Sequence, residues 1–253
     1  MTPDSSLPAL PVQRRGTGPT QVICLHGGPG TGASLACVAE PLAANFATLD
    51  YIQRRSSDVP LSVAQHVDDL LAIIRAYCPD QPPVLLGASW GAMLALAFAA
   101  AHPGQVAGLV LVGCGTFDPK SRAMIGPTRD SRIRPEHRTE IARLERDIPD
   151  PIQRIGAMQE LIGYVDNYDP IPDHQHPAPT MGFDAPGFDQ SWNDMIRLQN
   201  EGIYPGAFAA ISAPVLMIHG SYDPHPGPQI RDSLLLHIPH LQYVELPKCG
   251  HDP

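Results

Sequence analysis

A chain of 253 residues with 43% hydrophobic side chains has the apolar material for a buried core, which excludes an intrinsically disordered protein. A net charge of −9 excludes a nucleic-acid binder, which would need a basic face. The five cysteines, at 24, 37, 78, 114 and 249, form no paired spacing; reduced thiols in a cytoplasmic protein are expected rather than a disulfide frame. Met1–Ser6 has no basic start and no apolar run follows it, so no signal peptide is expected. The longest apolar run, around Ala92–Ala101, falls short of the ~20 residues that span a bilayer, and no membrane partner is expected.

No internal repeat is visible. Val22–Leu25 reads as a short buried strand running into His26-Gly27-Gly28-Pro29-Gly30, and Phe46–Leu49 as a second strand. Ser62 and Gln65 form a capping-box pattern that opens a helix, on which Val63, Val67, Leu70, Leu71 and Ile74 recur as one apolar stripe. Pro79–Pro83 is a turn that ends this helix and delivers the next strand. That strand, Val84-Leu85-Leu86, enters Gly87-Ala88-Ser89-Trp90-Gly91, and an alanine- and leucine-rich helix follows. His102-Pro103-Gly104 stops the helix, and Val106–Val112 is the next strand.

From Phe117 to Ser212 the chain is charged, rich in proline and without a strand run. Helices are expected at Pro135–Ile148, Ile152–Val165 and Phe188–Gln199, with an irregular stretch over Asp169–Pro186. Alternation then resumes with strand Pro214–His219, helix Gln229–His237 and strand Leu241–Leu246. The expected architecture is α/β: a mostly parallel sheet flanked by helices, with core segments 1–116 and 213–253 and an inserted helical cap over 117–212.

Gly-x-Ser-x-Gly between a strand and a helix is the pattern of a nucleophile elbow, in which a sharp turn lifts the serine hydroxyl to a helix N-terminus. A serine hydroxyl needs a base and a carboxylate that orients the base, in chain order serine, acid, histidine. Asp223 follows the strand ending at His219, and His251 follows the strand ending at Leu246, so both belong to loops at strand C-termini. The expected triad is Ser89, Asp223 and His251. The Trp90 and Gly28 N–H groups are the expected oxyanion donors, in a glycine loop where Gly27 can approach substrate closely. His26 is read as bracing that loop. His219 and His225 flank Asp223, and His225 is placed to line the site mouth. His174 and His176 have no third ligand at metal spacing, so no metal is expected. Neither a phosphate loop nor a dinucleotide fingerprint is present, and no cofactor is expected.

His26–Gly30 together with Gly87–Gly91 resembles the prolyl aminopeptidase (proline iminopeptidase) branch of the α/β-hydrolase superfamily. The resemblance takes in Gly220–Asp223 and Gly250-His251, over roughly residues 12–116 and 213–253. It implies the same triad and oxyanion residues, no cofactor, and a small-molecule or short-peptide substrate. Three features depart from the branch. Asp50–Ser57 lacks the glycines that usually follow Asp-Gln-Arg. The cap glutamate that holds a free substrate amine has its nearest analogue in Gln199–Tyr204, where Glu201 is the candidate, with Glu160 a second. The chain also stops two residues after His251, where the fold continues into a helix, so a truncated or unusual end with a less firmly held histidine is expected. Two enzyme readings stand together, an aminopeptidase and a carboxylesterase or related acyl hydrolase. A non-catalytic small-molecule receptor on the same fold is the third.

Overall fold

The computed structural model describes residues 10–17, 21–32, 34–169 and 181–252, the side chains of Gln21 and Glu160 excepted. Seven strands form one sheet: β1 (Val12–Arg15), β2 (Gln21–Leu25), β3 (Ala47–Tyr51), β4 (Val84–Ala88), β5 (Gly108–Val112), β6 (Val215–Gly220) and β7 (Gln242–Leu246). Their spatial order is β1-β3-β2-β4-β5-β6-β7. Only β1 runs antiparallel, paired with β3; every other neighbouring pair is parallel. This is the mostly parallel α/β architecture expected.

Parallel neighbours require crossovers, and helices supply them. They are α1 (Ala36–Leu42), α2 (Val63–Tyr77) and α3 (Trp90–Ala101) in the first half and α9 (Gly227–Leu235) between β6 and β7. Between β5 and β6 lie α4 (Pro119–Arg132), α5 (Pro135–Asp147), α6 (Pro151–Ala157), α7 (Gln159–Asp166), α8 (Ala185–Asn200) and a 3-10 turn at Gly206–Ala210. Strand order reverses between β2 and β4, because β3 lies on one side of β2 and β4 on the other. A crevice at such a switch point is where α/β sheets hold ligands.

Local sequence explains the two central helices. The Ser62 side chain accepts the Gln65 N–H at 3.2 Å, the expected cap of α2. Val63, Val67, Leu70 and Ile74 of the stripe are buried. Leu71 is only partly covered, and Ile73 is buried in addition. α3 is apolar on all faces and Trp90–Ala99 are buried throughout, as a helix enclosed between the sheet and its neighbours must be. Cys24, Cys78 and Cys114 are buried thiols.

Several elements differ from expectation. β1, α1 and α4 carry no clear periodicity in Val12–Arg15, Ala36–Leu42 and Pro119–Arg132. β1 is defined by its pairing with β3, and α4 opens on the Asp118 side chain, which accepts the Ser121 N–H at 2.8 Å, with Pro119 at its first position. The expected helix Ile152–Val165 is two helices, with Met158 ending α6 and beginning α7. His174 and His176 lie outside the described residues, as does most of Asp169–Pro186. No helix among the described residues is long and apolar enough to cross a membrane.

The segment between β5 and β6 is bolted to the sheet domain along α8. The Asp184 carboxylate, which caps α8, accepts the Ser56 N–H and hydroxyl, both at 2.6 Å. Gln190 accepts the Leu61 N–H and Asp194 the Val63 N–H, each at 2.8 Å. Ser191 bonds the buried His66 ring at 2.9 Å. Burial holds His66 in its neutral form by lowering its pKa to about 4.

A Cβ on Gly91 would lie 2.0 Å from the Leu25 carbonyl oxygen, whereas one on Gly163, within α7, meets nothing within 4 Å beyond its chain neighbours and its own helix. Overpacking of rigid backbone costs about 1–3 kcal/mol or more, and replacing glycine inside a helix gains about 0.5–1 kcal/mol. Gly91→Ala is therefore expected to lower unfolding stability by about 3 kcal/mol, and Gly163→Ala to raise it slightly. Urea denaturation of the two variants beside the parent checks both signs.

Candidate active site

Four loops converge at the C-terminal ends of β2, β4, β6 and β7. Ser89 sits between β4 and α3 with φ 53° and ψ −116°, a left-handed backbone that non-glycine residues rarely adopt. Strain of this kind costs about 1–3 kcal/mol and persists only where the surroundings hold it. Here the Ser89 N–H donates to Val112 O at 2.8 Å, and Ser89 O accepts the Ala92 N–H at 3.0 Å. Gly87 and Gly91 are required on either side, because a Cβ on Gly87 would lie 2.3 Å from the Gly91 carbonyl oxygen. Burial of the flanking helix places its N-terminal N–H groups, beginning with that of Trp90, beside the serine.

The loop after β2 abuts the serine from the other side. A Cβ on Gly27 would stand 3.1 Å from the Ser89 Cβ, and Gly28 has φ +57°. The Thr31 N–H donates to Gly28 O at 3.2 Å, and its hydroxyl bonds the carbonyls of Gly27 and Gly28 at 3.1 and 2.9 Å. His26 is buried and braces this loop, as its position suggested. Its Nε2 accepts the Gln53 N–H at 3.1 Å, so the proton resides on Nδ1, which donates to Gly27 O at 2.9 Å. Burial lowers its pKa and keeps it neutral. Gln53 continues the chain, donating to His26 O at 3.0 Å and accepting the Trp90 indole N–H at 2.8 Å. Sequence reasoning passed over Gln53 because its partners are 27 and 37 positions away.

Asp223 and His251 meet where β6 pairs with β7: the His251 Nδ1–H donates to Asp223 Oδ2 at 2.8 Å. His251 then lies across the end of β5. A Cβ on Gly113 would come within 2.6 Å of the His251 carbonyl oxygen and 3.2 Å of its Nδ1. Gly113 directly follows Val112, whose carbonyl holds Ser89, so Asp223, His251 and Ser89 share one edge of the sheet.

The Asp223 side chain has no exposure and serves more than one imidazole. His225 donates to Oδ1 through Nδ1 at 2.9 Å and through its backbone N–H at 2.8 Å. His219 Nε2 lies 3.1 Å from Oδ2 and 2.9 Å from His225 O, so it carries a proton and donates to both. The rings of His225 and His251 stack, with centroids 4.4 Å apart and 23° between planes. Burial opposes the charge on Asp223, but His251 and the three imidazole hydrogen bonds outweigh it and hold the carboxyl far below its usual range. Burial also opposes the charged form of His251, yet the Asp223 anion and hydrogen bond raise its pKa above the usual value. Burial and the neighbouring His251 lower that of His225. Of the two rings that bond Asp223 through Nδ1, His251 is therefore the more readily protonated.

The expected looseness of the His251 loop does not occur. Its N–H donates to Asp166 O at 3.1 Å, and the Asn167 side chain bonds both the backbone N–H and the carboxylate of Asp252 at 3.0 Å. Arg129 grips the Asp166 carboxylate through two bonds of 2.8 and 2.6 Å. The end of α7 therefore anchors the histidine loop.

Glu201 is placed differently from its expected role. It ends α8 with its side chain half exposed, and its carboxylate accepts from Arg197 at 2.7 Å in a surface ion pair. Its charge already has a partner on its own helix. The side chain of Glu160 is outside the described residues.

The α/β-hydrolase fold family profile matches residues 20–253. Proline iminopeptidase from Neisseria gonorrhoeae is 37% identical over 124 residues, 46% of this chain and 39% of that protein. The chain thus matches about two fifths of the length of that curated relative. Among solved structures, proline iminopeptidase from Mycobacterium smegmatis superposes with TM-score 0.57 at 21% identity, over 95% of this chain and 87% of that one. A thermophilic esterase from Thermogutta terrifontis does so with TM-score 0.59 at 23% identity, over 96% and 86%. At these identities the superpositions show a shared fold.

The electrostatics predict an NMR titration. The His251 imidazole is expected to titrate above the usual midpoint of about 6.5, and His225 below it. In Asp223→Asn the largest influence raising the His251 pKa is gone while burial still opposes its charge and only the weaker pull of Asp252 and Asp166 remains, so the His251 midpoint is expected to fall. A midpoint that does not move with this substitution would contradict the assigned pairing.

Proposed function

The chain belongs to the α/β-hydrolase fold family, and on that premise we propose that it is a serine hydrolase working through an acyl-enzyme. The observation that carries the proposal is the strained Ser89 elbow at the same sheet edge as the Asp223–His251 hydrogen bond. In its neutral form, with the one remaining proton on Nδ1 toward Asp223, His251 presents a lone pair at Nε2 that can take the Ser89 proton as the hydroxyl attacks a substrate carbonyl. Because the Asp223 anion raises the His251 pKa, this form gains as pH rises. The tetrahedral oxyanion is held by the N–H groups of Trp90 and Gly28. Collapse expels the leaving group, which takes the proton from His251. A water activated by the same imidazole then releases the acid and frees Ser89. Asp223 remains ionised, fixing the tautomer and stabilising the imidazolium.

Residues 117–212 act as a cap in this reading. The helices they form sit between β5 and β6, and α7 reaches the His251 loop while α8 reaches the loop after β2, through Asp184 N–H to Gly30 O at 2.8 Å. The cap therefore bears on two loops of the proposed site at once.

Two substrate classes follow. The proline iminopeptidase relatives favour an aminopeptidase acting on short peptides with a small N-terminal residue. A specific observation favours an ester or neutral acyl substrate instead. A free amine calls for a counter-charge, and among the described residues the candidate for that role, Glu201, is already paired with Arg197.

Initial rates on prolyl p-nitroanilide and p-nitrophenyl butyrate, with Ser89→Ala as the blank, test both levels. If the triad acts as a unit, Ser89→Ala is expected to lower turnover by ~10⁴-fold or more; a loss of less than tenfold would remove Ser89 as nucleophile. Faster serine-dependent release from the prolyl amide supports the aminopeptidase, and release from the ester alone supports the esterase.

A further inference from the structure

A serine triad uses one imidazole per carboxylate, whereas Asp223 holds two through their Nδ1 atoms. His225 is fixed there independently of catalysis: its backbone N–H donates to Asp223 Oδ1 and its backbone carbonyl accepts from His219. One ligand atom each from Asp223, His225 and His251 lies within 4.8 Å of the others. Two imidazole nitrogens and one carboxylate oxygen are a donor set typical of zinc sites that keep an open position. Both rings keep some exposure, at 12% and 14% of their side-chain surface, so the cluster borders solvent although the Asp223 carboxylate is covered. Zinc–nitrogen bonds of about 2.0–2.1 Å require the three ligand atoms to draw together by on the order of 1 Å. Two of the three sit on the short Asp223–His225 loop, which makes that closure a local adjustment.

We infer that Asp223, His225 and His251 form a zinc-binding site whose occupation switches the triad off. The binding stands on the cluster alone; the switching rests on the proposed role of Ser89 and His251. The mechanism is a change of tautomer. A neutral imidazole has one N–H. Zinc on Nδ1 leaves that proton on Nε2, so the face turned to the nucleophile becomes a donor and cannot accept the Ser89 proton. The same ion engages Asp223 and removes the carboxylate that selects the productive tautomer. The oxyanion donors and the acyl pocket are untouched, so substrate affinity is preserved while the chemical step is lost. Hard, oxygen-preferring cations such as Mg²⁺ do not suit two imidazole ligands.

The experiment is calorimetric titration of the chelator-treated full chain with Zn²⁺, paired with kcat and KM on whichever chromogenic substrate is turned over. His225→Gln and His225→Phe are included, each referred to its own metal-free rate. One equivalent of Zn²⁺ is expected to bind, kcat to fall at least about tenfold with KM unchanged, and EDTA to restore the rate, with Mg²⁺ inert. Loss of a ligand is expected to weaken zinc binding at least about tenfold in both variants, since even removal of a ligand's supporting partner costs 10–100-fold. Absence of binding to the parent, or binding undiminished in both variants, overturns the site. A rise in KM with kcat unchanged places the ion in the substrate pocket and overturns the switch. Histidine-dependent binding to a protein with no Ser89-dependent hydrolysis supports the site and refutes the serine-hydrolase reading.

Discussion

A carboxylate buried without exposure, as Asp223 is, survives only if donors surround it. Much of the site geometry answers to that requirement. Three imidazoles and one backbone N–H aim at its two oxygens, and each donor comes from the end of β6 or β7 or the loop that follows it. The demand for donors draws the loop after β7 onto the loop after β6 and so sets where His251 stands. It also sets the tautomers. Each neutral ring that gives its Nδ1 proton to the carboxylate keeps a lone pair on Nε2, and for His251 that lone pair is the one the proposed reaction uses.

The convergence demands room, and the sheet edge supplies it by omitting side chains. Gly27 against Ser89, Gly91 against the end of β2 and Gly113 under His251 are places where backbone approaches backbone or ring more closely than a Cβ permits. The positive φ at Ser89 belongs to the same economy of space. Hydrogen bonds to Val112 O and from Ala92 hold a conformation that the residue would not choose alone. Further from the serine, the His26–Gln53–Trp90 chain ties the glycine loop to the first turn of α3 with neutral groups only. The loop is therefore stiffened without adding a charge that would compete with the Asp223–His251 pair.

The segment between β5 and β6 takes part in both ends of this arrangement. Through Asp184 it holds the loop after β2, and through Asp166 and Asn167 it holds the loop after β7. The Arg129–Asp166 pair is partly buried and bidentate, the geometry in which an ion pair resists solvent screening best. Arg132 stacking on Tyr222, 3.6 Å from the ring centroid, adds a further contact next to Asp223. Motion of these helices would thus be felt at the histidine as well as at the pocket they are proposed to cover.

What the sequence by itself determined is what local pattern can encode. The alternation of strands and helices follows from hydrophobic period, the start of α2 from the Ser62 cap, and the serine turn from flanking glycines. The order of Ser89, Asp223 and His251, each just after a strand, was likewise legible, because a sheet with parallel strands puts all such loops at one edge. Contacts that only the tertiary structure decided have no such signature. That Asp223 is shared with His225, that Gln53 links His26 to Trp90, and that Asn167 meets Asp252 across 85 positions depend on chain segments brought together by the packed sheet. The same holds for Glu201, a candidate amine anchor because Gln199–Tyr204 is the nearest analogue of the related enzymes' cap glutamate segment, whose charge pairs with Arg197 on its own helix. Period and turn chemistry act between neighbours along the chain. Hydrogen-bond partners of buried groups are chosen by distance in space, which only the finished fold defines.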